Sequence, residues 1–267
     1  MKVKIIKESE AKQIMLNILI QFSTYCEKYK LRYFLGAGTL LGAIRHKGYI
    51  PWDNDIDVWM PRPDYEKLIF MTKQESISEN ISCLDFNEVR TFPFIKLIDK
   101  RTILKENYLV TEQTLGIYID IFPLDGFPDN KEEQKRILKK VKIYNILFNF
   151  ANYRFNTGSS LKKKLLKNIL YPFSKLIPNK WVCTQYNSLC KKYNYDECNT
   201  CAVVVWGLGN KTVFKKEYFD ISYAEFEKYT FRIPKYYDNV LKGQYGDYMQ
   251  LPPKEKRIVH FHTAYWK

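Results

Sequence analysis

Residues 53–60, Asp-Asn-Asp-Ile-Asp-Val-Trp-Met, limit what this chain can fold into more than any other stretch. From Asp55 onward polar and apolar residues alternate at first, as in a half-buried strand whose successive side chains point to opposite faces. Asp55 and Asp57 then project together while Ile56 and Val58 turn to a core, and Asp53 joins the ridge if the strand starts early. Carboxylates on one ridge repel each other, and burying even one without compensation is costly. A divalent cation resolves the conflict, and hard oxygen donors of this kind suit Mg²⁺ or Mn²⁺. The plainer alternative is that these residues cap helices or pair with basic side chains.

The segment before the ridge adds a second constraint. Arg32-Tyr33-Phe34-Leu35 reads as a short strand, followed by Gly36-Ala37-Gly38-Thr39 and a helix-like LLGAIRH that Gly48 stops. Glycines let a ligand approach the backbone closely, and a helix start offers unpaired N–H groups to a phosphate. The spacing sets this cradle, at Gly38 and Thr39, one short helix away from Asp55 and Asp57. Arg45, Lys47 and Lys96 could add cationic contacts. Lys96 interrupts the apolar run FPFIKLID and needs a polar partner, either a substrate phosphate or a nearby carboxylate. Asp120, between Ile119 and Ile121, is a candidate third metal-binding carboxylate; Asp125 reads as structural.

The rest of the chain supplies the frame. Helical spacing of Ile14, Ile18 and Phe22 predicts a packing helix over Ser9–Leu31, and a further helix follows Pro61 to Thr72. Strands are expected at Phe94–Asp99, Gly116–Phe122 and Ala202–Trp206. Residues 130–180 read as helical, with a break at Asn156–Ser160. The fold class is α+β with an α/β-like core: a mixed sheet, flanking helices and a basic helical insertion. The expected organisation is a core over 1–130, the insertion over 131–180, and a C-terminal part over 181–267 that completes the active site.

Charge is concentrated. Of a formal +14, residues 131–180 hold net +11, with eleven Lys and two Arg against Glu132 and Glu133. Such a segment fits an anionic membrane surface, where each basic residue contributes about 1 kcal/mol; a solvated helical face is the simpler alternative. No apolar run reaches the roughly 20 residues of a spanning helix, and the start of the chain is no secretory signal. The expected location is cytoplasmic, with contact at the inner face of the membrane. The six cysteines are then thiols, and the C-x6-C-x7-C-x2-C spacing from Cys183 to Cys201 matches no common zinc ribbon.

With these residues in hand, the chain resembles the LicD family of phosphotransferases, related to fukutin and fukutin-related protein. The resemblance rests on GTLLGAIRHKGYIPWDNDIDVWMPRPDYEKL at 38–68, the Lys96 strand, GIYIDIFPLDGF at 116–127, and YGDYMQLPPKEKR at 245–257 with the following His and AYWK. It spans nearly the whole chain. Asn54 departs from the family, which commonly shows Asp there; Asn54 is expected to point away from Asp55 and Asp57.

The resemblance implies a nucleotidyltransferase-like fold. Gly38 and Thr39 would hold phosphate, and Asp55, Asp57 and Asp120 would bind Mg²⁺ as the catalytic acids, with Asp120 as general base. It implies transfer of phosphocholine, or a related phospho-alcohol, from CDP-choline to a sugar hydroxyl of a cell-surface glycan or teichoic acid precursor, lipid-linked, with release of CMP. Lys96 and Arg45 would steady CMP. A choline head is held by aromatic faces, for which Trp52 and several tyrosines, Tyr245 and Tyr248 among them, are candidates; Asp53 belongs to the same substrate region. His260, in the tail with His262, could reach phosphate or serve packing. The rival reading is a metal-dependent glycosyltransferase of the DxD type using a nucleotide sugar. Nucleic-acid binding is disfavoured, because the acidic ridge repels phosphate.

Overall fold

The computed structural model describes residues 4–85, 93–105, 115–152, 161–206, 209–257 and 263–267. A two-residue strand β1 (Ile5–Ile6) leads into helix α1 (Glu8–Lys28), whose buried residues Ile14, Ile18, Leu19 and Phe22 recur at helical spacing. Strand β2 (Phe34–Leu35) and helix α2 (Ala37–His46) follow. Then come β3 (Asp57–Pro61), α3 (Arg62–Thr72), β4 (Ile81–Leu84), β5 (Ile95–Asp99), β6 (Thr102–Lys105) and the long β7 (Tyr118–Phe127). The basic region forms α4 (Lys131–Ala151), α5 (Leu161–Ser174) and α6 (Asn179–Cys190). The chain closes with β8 (Thr200–Ala202), β9 (Val213–Lys215), the hairpin β10 (Ile221–Phe226) and β11 (Tyr229–Pro234), α7 (Tyr237–Tyr245) and β12 (Thr263–Trp266).

The main sheet is mixed, in the order β2-β3-β7-β5-β4, and β8 and β9 continue from the far end of β7. Among the described strands only β3 and β7 run parallel; the other pairs are antiparallel. Strand β3 is buried along its whole length, not half-buried as the alternation at its start suggests, and β7 is nearly so. A three-stranded sheet β1-β12-β6 ties the two chain ends to the core. The expected α+β class with an α/β-like core is therefore observed.

Three expectations shift at element ends. The strand of the acidic ridge begins at Asp57, so Asp53 and Asp55 lie in the extended lead-in. Strand β7 does not stop before Pro123. Its ladder with β5 ends at Ile121 and that with β8 begins at Asp125, so the missing proline N–H falls between the two. The run Ala202–Trp206 is not one strand: β8 ends at Ala202 and Val204–Trp206 turns into a 3₁₀ helix, with the Tyr186 hydroxyl donating to the carbonyls of Val204 and Val205. The break expected at Asn156–Ser160 lies outside the described residues.

All six cysteines are free thiols; Cys26, Cys183, Cys190 and Cys201 are buried. Asp125 is structural, as expected. It is fully buried and accepts a hydrogen bond from Arg62 Nε at 2.6 Å, which joins β7 to α3.

Candidate active site

The site is built where α2 meets the lead-in to β3. Gly36 and Gly38 are dictated by close approach. A Cβ at Gly36 would stand 2.4 Å from the Trp59 indole, and one at Gly38 would stand 2.4 Å from Asp53 Oδ2. Between them Ala37 adopts φ +45°, a left-handed conformation that a non-glycine residue rarely takes. Asp57 is clasped at both ends of its peptide unit. Its N–H donates to Thr39 Oγ1 at 2.8 Å, and its carbonyl accepts from the Gly36 N–H at 2.9 Å. Thr39 is thus buried in the service of Asp57 and, unlike Gly38, does not line the cleft, where the sequence suggested a phosphate contact.

Across the sheet the charges form a row. Asp57 on β3 is the register partner of Asp120 on β7, and Asp120 is in turn the partner of Lys96 on β5. Register partners share a face. Lys96 is buried, donates from Nζ to Asp120 Oδ1 at 2.6 Å, and sits 3.4 Å from the centroid of the Tyr118 ring. The partner that the sequence required for Lys96 is a carboxylate.

The acids press on one another. Asp55 keeps exposed surface at the cleft, yet desolvation by the surrounding protein, and then the charge of Asp53, which also shares a hydrogen bond with it, push its carboxyl up to about 7. Asp57 is buried and held well above the usual carboxylate range, by burial first and then by Asp55, Asp120 and Asp53. Lys96 eases both. Protons retained at neutral pH on oxygen donors of this kind fit a site that exchanges them for a hard divalent cation. Among the described residues, however, no three His, Cys, Asp or Glu side chains already stand together as a ligand set.

A cleft of about 1260 Å³ opens over this floor. Of the candidate substrate residues, Gly38, Arg45, Trp52, Asp53 and Lys96 line it, together with Asp55 and Asp120. Asn54 lines it too. His260 lies outside the described residues.

The tertiary structure adds walls that local pattern could not reveal. Arg257 stacks over Trp52, 4.9 Å from the ring centroid, and Arg45 Nη1 donates to the Tyr248 carbonyl at 2.5 Å, tying α2 to the C-terminal part. The Tyr245 hydroxyl is held up by burial and by the charges of Asp57, Asp53 and Asp55. Glu8, Lys12 and Met15 of α1, read as a packing helix, also face the cleft. Their contribution depends on a contact between the first helix and the far end of the chain, for which α1 itself carries no local signal.

A mixed sheet that sets a glycine-rich helix start beside a row of acids on a cleft floor, with Arg45 and Arg257 in the cleft lining, defines a nucleotidyltransferase-like enzyme. Residues 30–157 match the family model described as LicD/FKTN/FKRP, nucleotidyltransferase domain. The chain is 34% identical over 259 residues to the lipopolysaccharide cholinephosphotransferase LicD of Haemophilus influenzae, covering 94% of both chains. It is also 28% identical over 149 residues to an uncharacterised protein of Rickettsia typhi, covering 54% of this chain and 44% of that one. The chain belongs to the LicD family and is an enzyme of the phosphotransferase type.

Proposed function

We propose that this enzyme transfers phosphocholine, or a closely related phospho-alcohol, from a CDP-alcohol to a sugar hydroxyl of a cell-surface glycan precursor, lipopolysaccharide or teichoic acid, and releases CMP. One observation carries the reading. The similarity to a lipopolysaccharide cholinephosphotransferase runs through 94% of both chains, and the family match over residues 30–157 spans the cradle and the acidic row.

The residues divide the work as follows. Gly38 lets the donor approach the start of α2, and Arg45, Arg257 and Lys96 offset the negative charge of the diphosphate. Asp55 and Asp57, with Asp120, would hold Mg²⁺ or Mn²⁺, which when bound supplies further charge compensation at the diphosphate oxygens. The acceptor hydroxyl oxygen attacks the phosphorus that bears the alcohol, the bond from that phosphorus to the bridging oxygen breaks, and CMP departs. Asp120 takes the hydroxyl proton. Chemistry of this kind depends on positioning and charge more than on covalent help from the protein. Trp52, which carries the Arg257 guanidinium on its face, offers an aromatic surface of the kind that accepts a quaternary ammonium.

The test is incubation of the full chain with Mg²⁺, a lipo-oligosaccharide acceptor and, in turn, CDP-choline, CDP-ethanolamine, CDP-ribitol and CDP-glycerol. CMP and a new phosphodiester ³¹P signal are expected from CDP-choline. Turnover of a nucleotide sugar, with CMP from none of the four, would replace this reading with the DxD-type glycosyltransferase.

A further inference from the structure

Helix α5 is turned inside out for a globular protein. Leu161, Leu165, Ile169 and Phe173 recur every four residues and so form one ridge, which Leu176 extends beyond the helix end. All five side chains are between 58% and 86% exposed. Among the described side chains of α5, Ser174 alone is buried. Its neighbours behave normally: Ile137 and Val141 of α4, and Val182, Cys183, Tyr186 and Cys190 of α6, are buried. A surface helix ordinarily turns its apolar stripe to the core and its charges to water. Here the stripe faces out, and the half-exposed Trp181 stands just beyond it.

The charge around the stripe identifies what covers it. Lys162, Lys163, Lys164, Lys167, Lys175 and Lys180 are interleaved with the apolar residues in sequence, within the segment of net +11. A second copy of the chain seated on this face would set two such segments against each other. An anionic bilayer reverses the sign: lysine ammonium groups meet lipid phosphates while leucine, isoleucine, phenylalanine and tryptophan side chains enter the acyl boundary. An amphipathic basic helix with an aromatic residue beside it has the composition of an interfacial anchor, and no helix among the described residues is long and apolar enough to cross a membrane.

We propose that α5 and the turn after it form a membrane-docking face, which holds the enzyme on an anionic bilayer by inserting the Leu161–Leu176 ridge at the headgroup boundary. No described residue of α4, α5 or the turn after it lines the cleft. Docking therefore anchors the enzyme without lining the cleft, and it stands independently of which CDP-alcohol is used.

The experiment is sedimentation of the full chain with vesicles of phosphatidylcholine, alone or mixed with phosphatidylglycerol. Wild type is expected in the pellet with the mixed vesicles and in the supernatant with the neutral ones. The triple variant Leu165→Ser, Ile169→Ser, Phe173→Ser is expected to bind the mixed vesicles at least about tenfold more weakly, with an unchanged thermal melt, because the replaced side chains contribute nothing to the core. Equal binding of wild type to both vesicle types, no binding to either, or undiminished binding by the folded triple variant would each overturn the proposal. So would a wild-type dimer in sedimentation velocity that the triple variant converts to monomer, since the ridge would then be covered by a second copy.

Discussion

Asp57 and Asp120 face each other in register across the parallel pair β3–β7, and Lys96 completes their row from β5, 2.6 Å from Asp120. A buried acid and a half-buried one therefore share one neighbouring ammonium. The folded chain accepts this repulsion only because surrounding structure holds it in place, a pattern typical of catalytic sites.

Removal of one acid should make that cost visible. Asp57→Asn keeps the shape and both backbone clasps but removes the carboxyl that burial and its acidic neighbours keep from ionising. The metal-free variant is expected to melt a few degrees higher than wild type, while CMP release falls by about 10²–10³-fold or more. A variant that melts lower and still turns over would contradict the assignment of Asp57.

Lys96 should couple to Asp120. Lys96→Met removes the buried ammonium from a half-buried, hydrogen-bonded carboxylate, and is expected to destabilise the protein by about 1–3 kcal/mol. Adding Asp120→Asn should recover most of that loss without restoring activity. Denaturant melts of the two single variants and the double variant measure the coupling; additive losses would show that the ion pair is not what holds the two strands in place.

Thr39 is predicted to matter for stability as well as for catalysis. Thr39→Val has nearly the same shape but deprives the buried Asp57 N–H of its acceptor, at about 1–3 kcal/mol. Lower thermal stability together with a reduced kcat is expected. A variant as stable as wild type would show that the backbone finds another acceptor.

Metal and pH are linked through Asp55. Its carboxyl keeps a proton to about pH 7 in the folded chain, whereas an unfolded aspartate releases it near about 3.9. The folded state therefore binds more protons across that interval. The contribution of Asp55 to stability is complete below the unfolded value and is lost as pH rises through about 7. In chelator, the melting temperature of wild type relative to Asp55→Asn should fall over this range. Mg²⁺ must expel the same proton, so its affinity should strengthen with pH up to about 7 and then level off, with proton uptake into buffer measurable by calorimetry. A pH-independent affinity would count against Asp55 as a ligand.

How much of this could be read from the chain depends on the reach of each signal. The alternation at Ile56–Val58, the apolar spacing of α1 and the glycine pair before α2 depend on neighbours within a few residues, so the sequence by itself determined those elements, the acidic ridge, the need of Lys96 for a partner and the localisation of charge, but not the short strands or the β10–β11 hairpin. The start of β3 at Asp57, the passage of β7 through Pro123 and the bend after Ala202 depend on which strand lies alongside, and ladder ends have no local code. Only the tertiary structure decided that Asp120, not a phosphate, holds Lys96; that Arg257, Tyr245 and the first helix wall the cleft; and that the apolar ridge of α5 points to solvent. Each of those facts joins residues tens to hundreds of positions apart, or depends on which face a helix turns to its neighbours, and periodicity alone leaves that choice to packing.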